Sequence, residues 1–402
     1  MQAVIMAAGK GTRLAPLTEV RPKPLLRVAN KTILEHNLDQ LVGISDHVFI
    51  VVNHFKEQVI AQIGQEYKGM RITFVDQEKP LGTGDAIKSA LPFLDKKFIV
   101  MNGDDVYFRE GIEKVVKKSP CLLLKEVKNP ESFGVVTVSG TKVSGIIEKP
   151  DKPISNLVNM GVYFLEKDIF SIALQPSERG EYELVDYLKP LIQAGKLNFE
   201  VAENWFPITY PWSLLDANAF LLEQLNKPTD KMLEKEEKIK GIVEENCNLK
   251  ENVWIGEGTI IKSGTYIEKN VMIGKNCIIG PNCFIRSGTT IGNSCHVGQA
   301  VELKNTIIFD KSNVPHLSYV GDSVIGSGSN LGAGTITANL RHDGANVKSE
   351  VKGVLIDTGR RKLGAIIGDN VKTGIGTMIY PGRKLWPGAR TIPQENIKED
   401  RK

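Results

Sequence analysis

The chain has 402 residues, of which 41% are hydrophobic and 24% charged, a balance that excludes wholesale disorder. At roughly 150 residues per domain, this length suggests two or three domains. A net charge of +4, from 51 basic and 47 acidic residues, is too small and too mixed to mark a nucleic-acid binder.

No apolar run approaches the roughly 18–20 residues that span a bilayer. The apolar start, Met1 to Ala8, lacks a basic leader and breaks at Gly9-Lys10-Gly11, so it reads as a first buried strand and not as a signal peptide. Five cysteines with no CxxC pair suggest neither a disulfide framework nor a zinc ribbon, and a cytoplasmic protein with no membrane partner is the simplest expectation.

Apolar runs at Ala3–Ala7, His47–Val52, Ile72–Val75 and Phe98–Met101 predict buried strands. Helical spacing lies between them at Thr32–Leu41, Lys56–Ile63 and Thr83–Leu91. This alternation predicts a mostly parallel sheet with helices on its faces. Strands without intervening helices follow at Gly134–Val138, Val143–Glu148 and Leu157–Phe164, then helices at Glu181–Ala194 and Trp212–Leu225. The charged stretch 227–241 predicts a linker that closes a first domain at 1–226.

Beyond it the period becomes six. Aliphatic residues stand at Val243, Leu249, Ile255, Ile261, Ile267, Ile273, Ile279, Ile285, Ile291, Val297 and Leu303. Neither a helix nor an ordinary strand repeats at six. This hexapeptide repeat predicts a left-handed parallel β-helix over 242–390, with a frayed tail at 391–402. Interruptions are expected at Asp310–His316 and Leu340–Lys362. Cys247, Cys277, Cys283 and Cys295 fall on the small position of the repeat, where packing explains them, and Cys277 stacks on Cys295 one turn later.

The first loop contains Ala8, Gly9, Gly11, Thr12 and Arg13, followed by Arg21-Pro22-Lys23-Pro24. It leaves the carboxyl end of a strand, where open α/β sheets bind ligands. Glycines let backbone N–H groups approach an anion, and Arg13 and Lys23 add a planar fork and a point charge. That set suits a polyphosphate, although neither the Walker A nor the GxGxxG spacing is met.

The whole string GxGTRLxPLTxxRPKPLL resembles the signature of the sugar-1-phosphate nucleotidylyltransferases, and the resemblance runs through the first 225 residues. It implies an α/β, Rossmann-like nucleotidyltransferase domain that joins UTP or dTTP to a sugar 1-phosphate and releases pyrophosphate. Gln77 with Gly82 and Thr83 resembles the base-reading segment. Asn102-Gly103-Asp104-Asp105 resembles the strand end whose aspartate, here Asp104, holds Mg2+. Gly134, Glu148, Lys149 and Asn159 resemble the sugar-binding positions. The family's second metal ligand is replaced by Ser213, and Asp216 lies three residues on.

Within the hexapeptide region, Glu302-Leu303-Lys304, His316-Leu317-Ser318-Tyr319 and Asn330-Leu331-Gly332-Ala333 resemble the acetyltransferase half of bifunctional N-acetylglucosamine-1-phosphate uridylyltransferases, in an archaeal-like variant. By that resemblance His316 is a general base, Tyr319 and Asn330 orient an amino sugar, Arg286 and Lys304 bind its phosphate, and Ala333 lies beside acetyl-CoA. The family implies a homotrimer. Two other readings stay open. One is a glucose-1-phosphate thymidylyl- or uridylyltransferase whose coil is only a scaffold. The other, favoured by Ser213, is a non-catalytic nucleotide- or sugar-sensing subunit.

Overall fold

The computed structural model describes residues 1–177, 180–225 and 238–402. They form two compact units, one drawn from 1–10, 22–25 and 33–207, the other from 11–21, 26–32 and 208–402. The boundary expected at 226 is therefore not a single cut: two stretches of the first loop region, and the helix α6 (Ser213–Gln224), belong with the coil. The charged stretch at 227–241 falls largely outside the described residues.

The first unit is built on ten strands: β1 (Gln2–Met6), β2 (His47–Val52), β3 (Glu66–Tyr67), β4 (Met70–Asp76), β5 (Lys97–Asn102), β6 (Cys121–Glu126), β7 (Gly134–Ser139), β8 (Lys142–Glu148), β9 (Leu157–Glu166) and β10 (Asn198–Val201). Their order in the sheet is β3-β4-β2-β1-β5-β9-β6-β10-β8-β7. Strands β4, β2, β1 and β5 are mutually parallel, whereas β9 runs antiparallel to β5 and β6, and β8 antiparallel to β10 and β7. The sheet is thus mixed and not mostly parallel. The strands lacking helices between them, β7 to β9, pair antiparallel because short connections permit no crossover.

Alternation along β1 shows why the sheet is buried on both sides. Ala3 and Ile5 join one apolar cluster with Val48, Ile50 and Leu38, while Val4 and Met6 join another with Phe49, Val51 and Ile87. The helices α1 (Ile33–Leu41), α2 (Lys56–Ile63), α3 (Thr83–Ala90), α4 (Arg109–Val115) and α5 (Leu184–Gln193) supply the apolar stripes that close those faces.

The second unit is a parallel β-helix with faces of five, eight and seven strands. Neighbouring rungs are 18 residues apart at first, as in Ile242, Ile260, Ile278 and His296. The aliphatic residue of each hexad fills the lumen; Ile261, Ile267, Ile279, Ile285, Ile291, Val297 and Leu303 are fully buried. Corners are turned by residues at positive φ, among them glycines such as Gly258 and Gly264 and asparagines such as Asn252, Asn270, Asn276 and Asn282, whose short polar side chains tolerate the left-handed region.

Two expectations for the coil are corrected. Asp310–His316 is not an interruption, since Asn313–His316 is a strand paired with His296–Gln299. The register instead loses one residue twice: Thr290 pairs with Ile307 and Ile307 with Val324, each at a spacing of 17. The lumen column continues through Ile308, Val314, Val320, Ile325 and Leu331. Nor does the coil end near Ala389. Asn396–Ile397 pairs with Met378–Ile379, and Ile397 is buried, so the expected tail forms the last rung. The second excursion is present, with an antiparallel hairpin at Lys348–Val351 and Val354–Asp357.

Candidate active sites

In the first unit, the carboxyl ends of β1 and β5 lie side by side, with Met6 opposite Asn102. Gly103 follows, and its N–H donates to the Met6 carbonyl at 2.8 Å. A side chain there would collide with the same carbonyl at 2.9 Å, so the turn that presents Asp104 demands glycine. The Lys23 ammonium donates to Asp104 at 2.7 Å and to Asp105 at 3.5 Å. The lysine side chain is only 8% exposed, while Asp104 is 43% exposed. The pair therefore shows water a carboxylate and keeps its cation inside.

Ala8 is buried and Gly9 exposed, with open space where a side chain would stand. Gln77 is buried, and its amide donates to the Gly82 carbonyl at 3.2 Å and to Asp85 at 2.7 Å. Sequence reasoning did not single out Asp85. Thr83 accepts the N–H of Leu184 at 2.9 Å and so caps α5. At φ +111, Gly82 lies where any side chain would meet the Tyr182 carbonyl at 2.6 Å.

The sugar-type residues converge on β7, β8 and β9. Glu148 pairs in register with Gly134, and a side chain on Gly134 would stand 2.9 Å from the Glu148 carboxylate and 3.7 Å from Asn159. Asn159 donates to the Tyr163 hydroxyl at 2.6 Å and accepts the Gly161 N–H at 3.0 Å. Burial pushes the Tyr163 phenol far above its ordinary range, which keeps it protonated. Lys149 stands 3.4 Å from Glu148, and a cavity of about 610 Å³ opens beside both, lined also by Glu183, Asp186 and Lys189.

In the second unit, Gly11, at φ +62, opens a single helical turn over Thr12–Leu14. Thr12 and Arg13 are exposed, and Arg13 makes no ion pair among the described residues. The Ser213 hydroxyl accepts the Tyr210 N–H at 3.3 Å. Asp216 is ion-paired with Arg360, so the carboxylate considered as a substitute metal ligand is already engaged.

The coil carries its own polar cluster. Arg286 and Lys304 stand in register on adjacent rungs of the eight-stranded face, and Tyr319 lies in register with Glu302. Arg286 bonds Glu302 at 3.0 Å, and Lys304 faces Asp322 at 3.4 Å. Asp322 is nearly buried and also accepts from Asn305 at 2.8 Å and Asn339 at 2.6 Å. Asn339 reaches the Tyr319 hydroxyl as well, at 3.1 Å, and burial raises that phenol. Sequence reasoning missed Asp322 as the organising group. Around the corner, His316 ends the strand Asn313–His316 and is exposed. Its carbonyl accepts the Gly334 N–H at 3.2 Å, which sets Ala333 on the next rung beside it. Asn330 bridges Asn313 and Lys372 on the same stack.

The nucleotidyl transferase family model matches residues 2–224, and a GMPPB C-terminal domain model matches 267–382. A bifunctional protein GlmU from Methanococcus maripaludis is 43% identical over all of this chain and 96% of its own. A bifunctional sugar-1-phosphate nucleotidylyltransferase/acetyltransferase from Sulfurisphaera tokodaii is 40% identical over all of this chain and 98% of its own. A crystal structure of a Bacillus anthracis protein, described as a glucose-1-phosphate thymidylyltransferase with bound sucrose, covers 55% of this chain and 95% of that one, at 29% identity and a TM-score of 0.51. The family match over residues 2–224 defines a nucleotidyl transferase. With full-length similarity added, the chain belongs to the bifunctional GlmU family of sugar-1-phosphate nucleotidylyltransferase/acetyltransferases, and it is a transferase of these two types. Among the described residues no helix is long and apolar enough to cross a membrane.

Proposed function

We propose that the chain makes UDP-N-acetylglucosamine in two steps, acetylating glucosamine 1-phosphate on the coil and uridylylating N-acetylglucosamine 1-phosphate at the sheet edge. The observation that carries this reading is the coil cluster. Two cations in register, Arg286 and Lys304, suit a phosphate, and an exposed imidazole ends a strand around the corner from them. A coil serving only as a scaffold has no use for that arrangement.

In the acetyl transfer, the sugar's free amine attacks the thioester carbon of acetyl-CoA. His316 takes the proton that the nitrogen sheds, and the carbon–sulfur bond breaks to release the thiol. Arg286 and Lys304 hold the sugar phosphate, while Tyr319 and Asn330 orient the ring. Ala333, beside His316, lines the path of the acetyl group. Asp322 and Asn339 fix Tyr319.

The imidazole makes no hydrogen bond within the chain among the described residues, which fits a site finished by a neighbouring copy. The corner it shares exposes Leu317, Ile375 and Ile392 at 66%, 59% and 68%, an apolar stripe that a homotrimer would cover.

In the nucleotidyl transfer, a phosphate oxygen of the sugar attacks the α-phosphorus in line and pyrophosphate leaves. Gly9, Gly11 and Thr12 offer backbone N–H groups to the triphosphate, and Arg13 and Lys23 offset the charge on the departing group. Gln77 holds Gly82 in the loop that receives the base, with its carbonyl oxygen left for the pyrimidine. Gly134, Glu148, Lys149 and Asn159 receive the sugar. Mg2+ suits Asp104, an accessible carboxylate. A cation that keeps several waters and takes substrate phosphates as ligands needs only one such group, so Ser213 does not disqualify the site. When bound, it would neutralise phosphate charge.

The test is thiol release from acetyl-CoA with glucosamine 1-phosphate. Wild type is expected to release thiol, and His316→Ala to lose on the order of 10²–10⁴-fold in rate. Turnover untouched by that change would sink the acetyl-transfer reading.

A further inference from the structure

Two stretches of the second unit, 11–21 and 26–32, meet the seven-stranded face of the coil at a series of rungs, and the order is regular. The Asn30 amide donates to the Ile291 carbonyl at 2.9 Å. Arg27 stands 3.6 Å from Asp310, one rung on. Arg21 is ion-paired with Asp369 and donates to the Ser327 hydroxyl at 3.1 Å, taking the next two rungs. The buried Lys384 ammonium donates to the Ala15 carbonyl at 3.1 Å, one rung further. As the chain numbers fall from 30 to 15, the coil rungs rise from 291 to 384. These residues all lie within the second unit.

The Arg21–Asp369 pair is more withdrawn from water than Arg27–Asp310. Its two side chains are 15% and 10% exposed. The guanidinium also lies over the Phe309 ring, 5.1 Å from its centroid. Asp369 is held from behind, accepting the Ser327 N–H at 3.1 Å. A carboxylate fixed by the coil thus fixes an arginine eight residues beyond Arg13.

We propose that Asp369 is a positioning residue for nucleotidyl transfer. It acts through Arg21 to set the Gly11–Arg21 segment, and hence the Arg13 guanidinium, for the triphosphate. The coil then serves the first reaction as a splint, apart from its own acetyl transfer. The proposal rests on the reading of Arg13 as a triphosphate contact.

The physical argument is one of preorganisation. Leu14 and Leu17 are buried and the Thr18 hydroxyl donates to the Gly11 carbonyl at 3.0 Å, but the Thr12–Arg13 turn is exposed, and the entropy of fixing it would otherwise be lost each time nucleotide binds. An ion pair nearly sealed from water is costly to break, because removing one partner leaves the other charge buried and uncompensated, and it is directional at the arginine.

The experiment uses the full-length enzyme and measures pyrophosphate release against UTP concentration with N-acetylglucosamine 1-phosphate, alongside thiol release from acetyl-CoA. For Asp369→Ala we expect KM for UTP to rise ~10-fold with kcat changed less than about threefold and thiol release within about twofold of wild type. Asp369→Glu keeps the charge and should recover at least half of the lost affinity on a logarithmic scale. Exchanging the partners, Arg21→Asp with Asp369→Arg, should bind UTP more tightly than either single change. An unchanged KM in Asp369→Ala overturns the proposal. So does a fall of both activities in the same proportion, which would make the pair merely a fold contact. If Asp369→Ala behaves as expected but Arg13→Ala leaves KM for UTP untouched, the reading of Arg13 fails, and with it the route by which Asp369 acts.

Discussion

Two lysine–aspartate pairs, one in each unit, show opposite arrangements. At the sheet edge the lysine is sealed in and the carboxylate faces water: Lys23 is 8% exposed and Asp104 43%. On the coil the carboxylate is sealed in and the cation is the more open partner: Asp322 is 6% exposed and Lys304 20%. The second partners reinforce the contrast. Lys23 has a spare acid in Asp105, which leaves Asp104 able to turn toward a cation. Asp322 has spare donors in Asn305 and Asn339, which leaves Lys304 able to turn toward an anion. The lesson is that an ion pair advertises whichever member its other neighbours can spare. Burying the partner fixes the geometry, and redundancy on the buried side keeps it satisfied when a ligand arrives.

The strongest way to break this contrast is at Asp104. Asp104→Asn preserves shape and leaves Lys23 paired with Asp105. Pyrophosphate release with UTP and N-acetylglucosamine 1-phosphate should fall on the order of 10²–10³-fold, with thiol release from acetyl-CoA unchanged. Retained pyrophosphate release would show that the exposed acid is not the working one.

The coil counterpart should fail by a different route. Asp322→Ala leaves the Lys304 ammonium and the amides of Asn305 and Asn339 without their acceptor, at a cost of roughly 3 kcal/mol. Denaturant titration should show that loss, and KM for glucosamine 1-phosphate should rise because Tyr319 loses the Asn339 clamp. A variant as stable as wild type would mean that Asp322 is not the centre of the cluster.

The two regions also differ in how much their sequences disclose. In the coil each hexad solves its burial problem locally, so the period, the lumen residues and the stacked Cys277 and Cys295 are legible residue by residue; the Cys295 N–H indeed meets the Cys277 sulfur at 3.5 Å. What the period hides are the two lost residues. They fall near Asn305 and Asp322, corner residues with positive φ, where a rung can shorten without turning its strands inside out. The shortened rung sets Asp322 opposite Lys304 and Asn339, so the cluster's organiser is invisible to a strict count of six.

In the sheet, apolar runs disclose most of the strands, but Arg109–Val115, a short helix with a narrow buried stripe, and the strands Cys121–Glu126 and Asn198–Val201 are not expected from pattern. The site residues there were legible only through the motifs that carry them. Gln77 and Asp85, or Gly134 and Glu148, meet because the strands and loops bring them together. Arg21 and Asp369 lie 348 residues apart, and no local signal connects them.

The smallest expected effect concerns Lys384, a lysine buried with no acid in hydrogen-bond contact, and it sharpens the contrast with Lys23. Among the described residues its ammonium has the Ala15 carbonyl at 3.1 Å and the Trp212 ring 6.0 Å away, and burial pulls its pKa below the ordinary lysine value, with Asp400 and Glu350 opposing from a distance. The sign follows from linkage. Between the lowered native value and the ordinary lysine value of 10.5, the unfolded chain binds more protons than the native one, so stability rises with pH in that window. Lys384→Met removes the titration and keeps most of the packing, at the cost of one carbonyl left unpaired. Wild type should therefore gain on the variant as pH rises from 7.5 toward 10.5. The gap in Tm between them should widen by about 1–3 °C in wild type's favour. A gap that stays constant or narrows would mean that the ammonium is no worse off inside the protein than in water, and that burial alone does not distinguish it from Lys23.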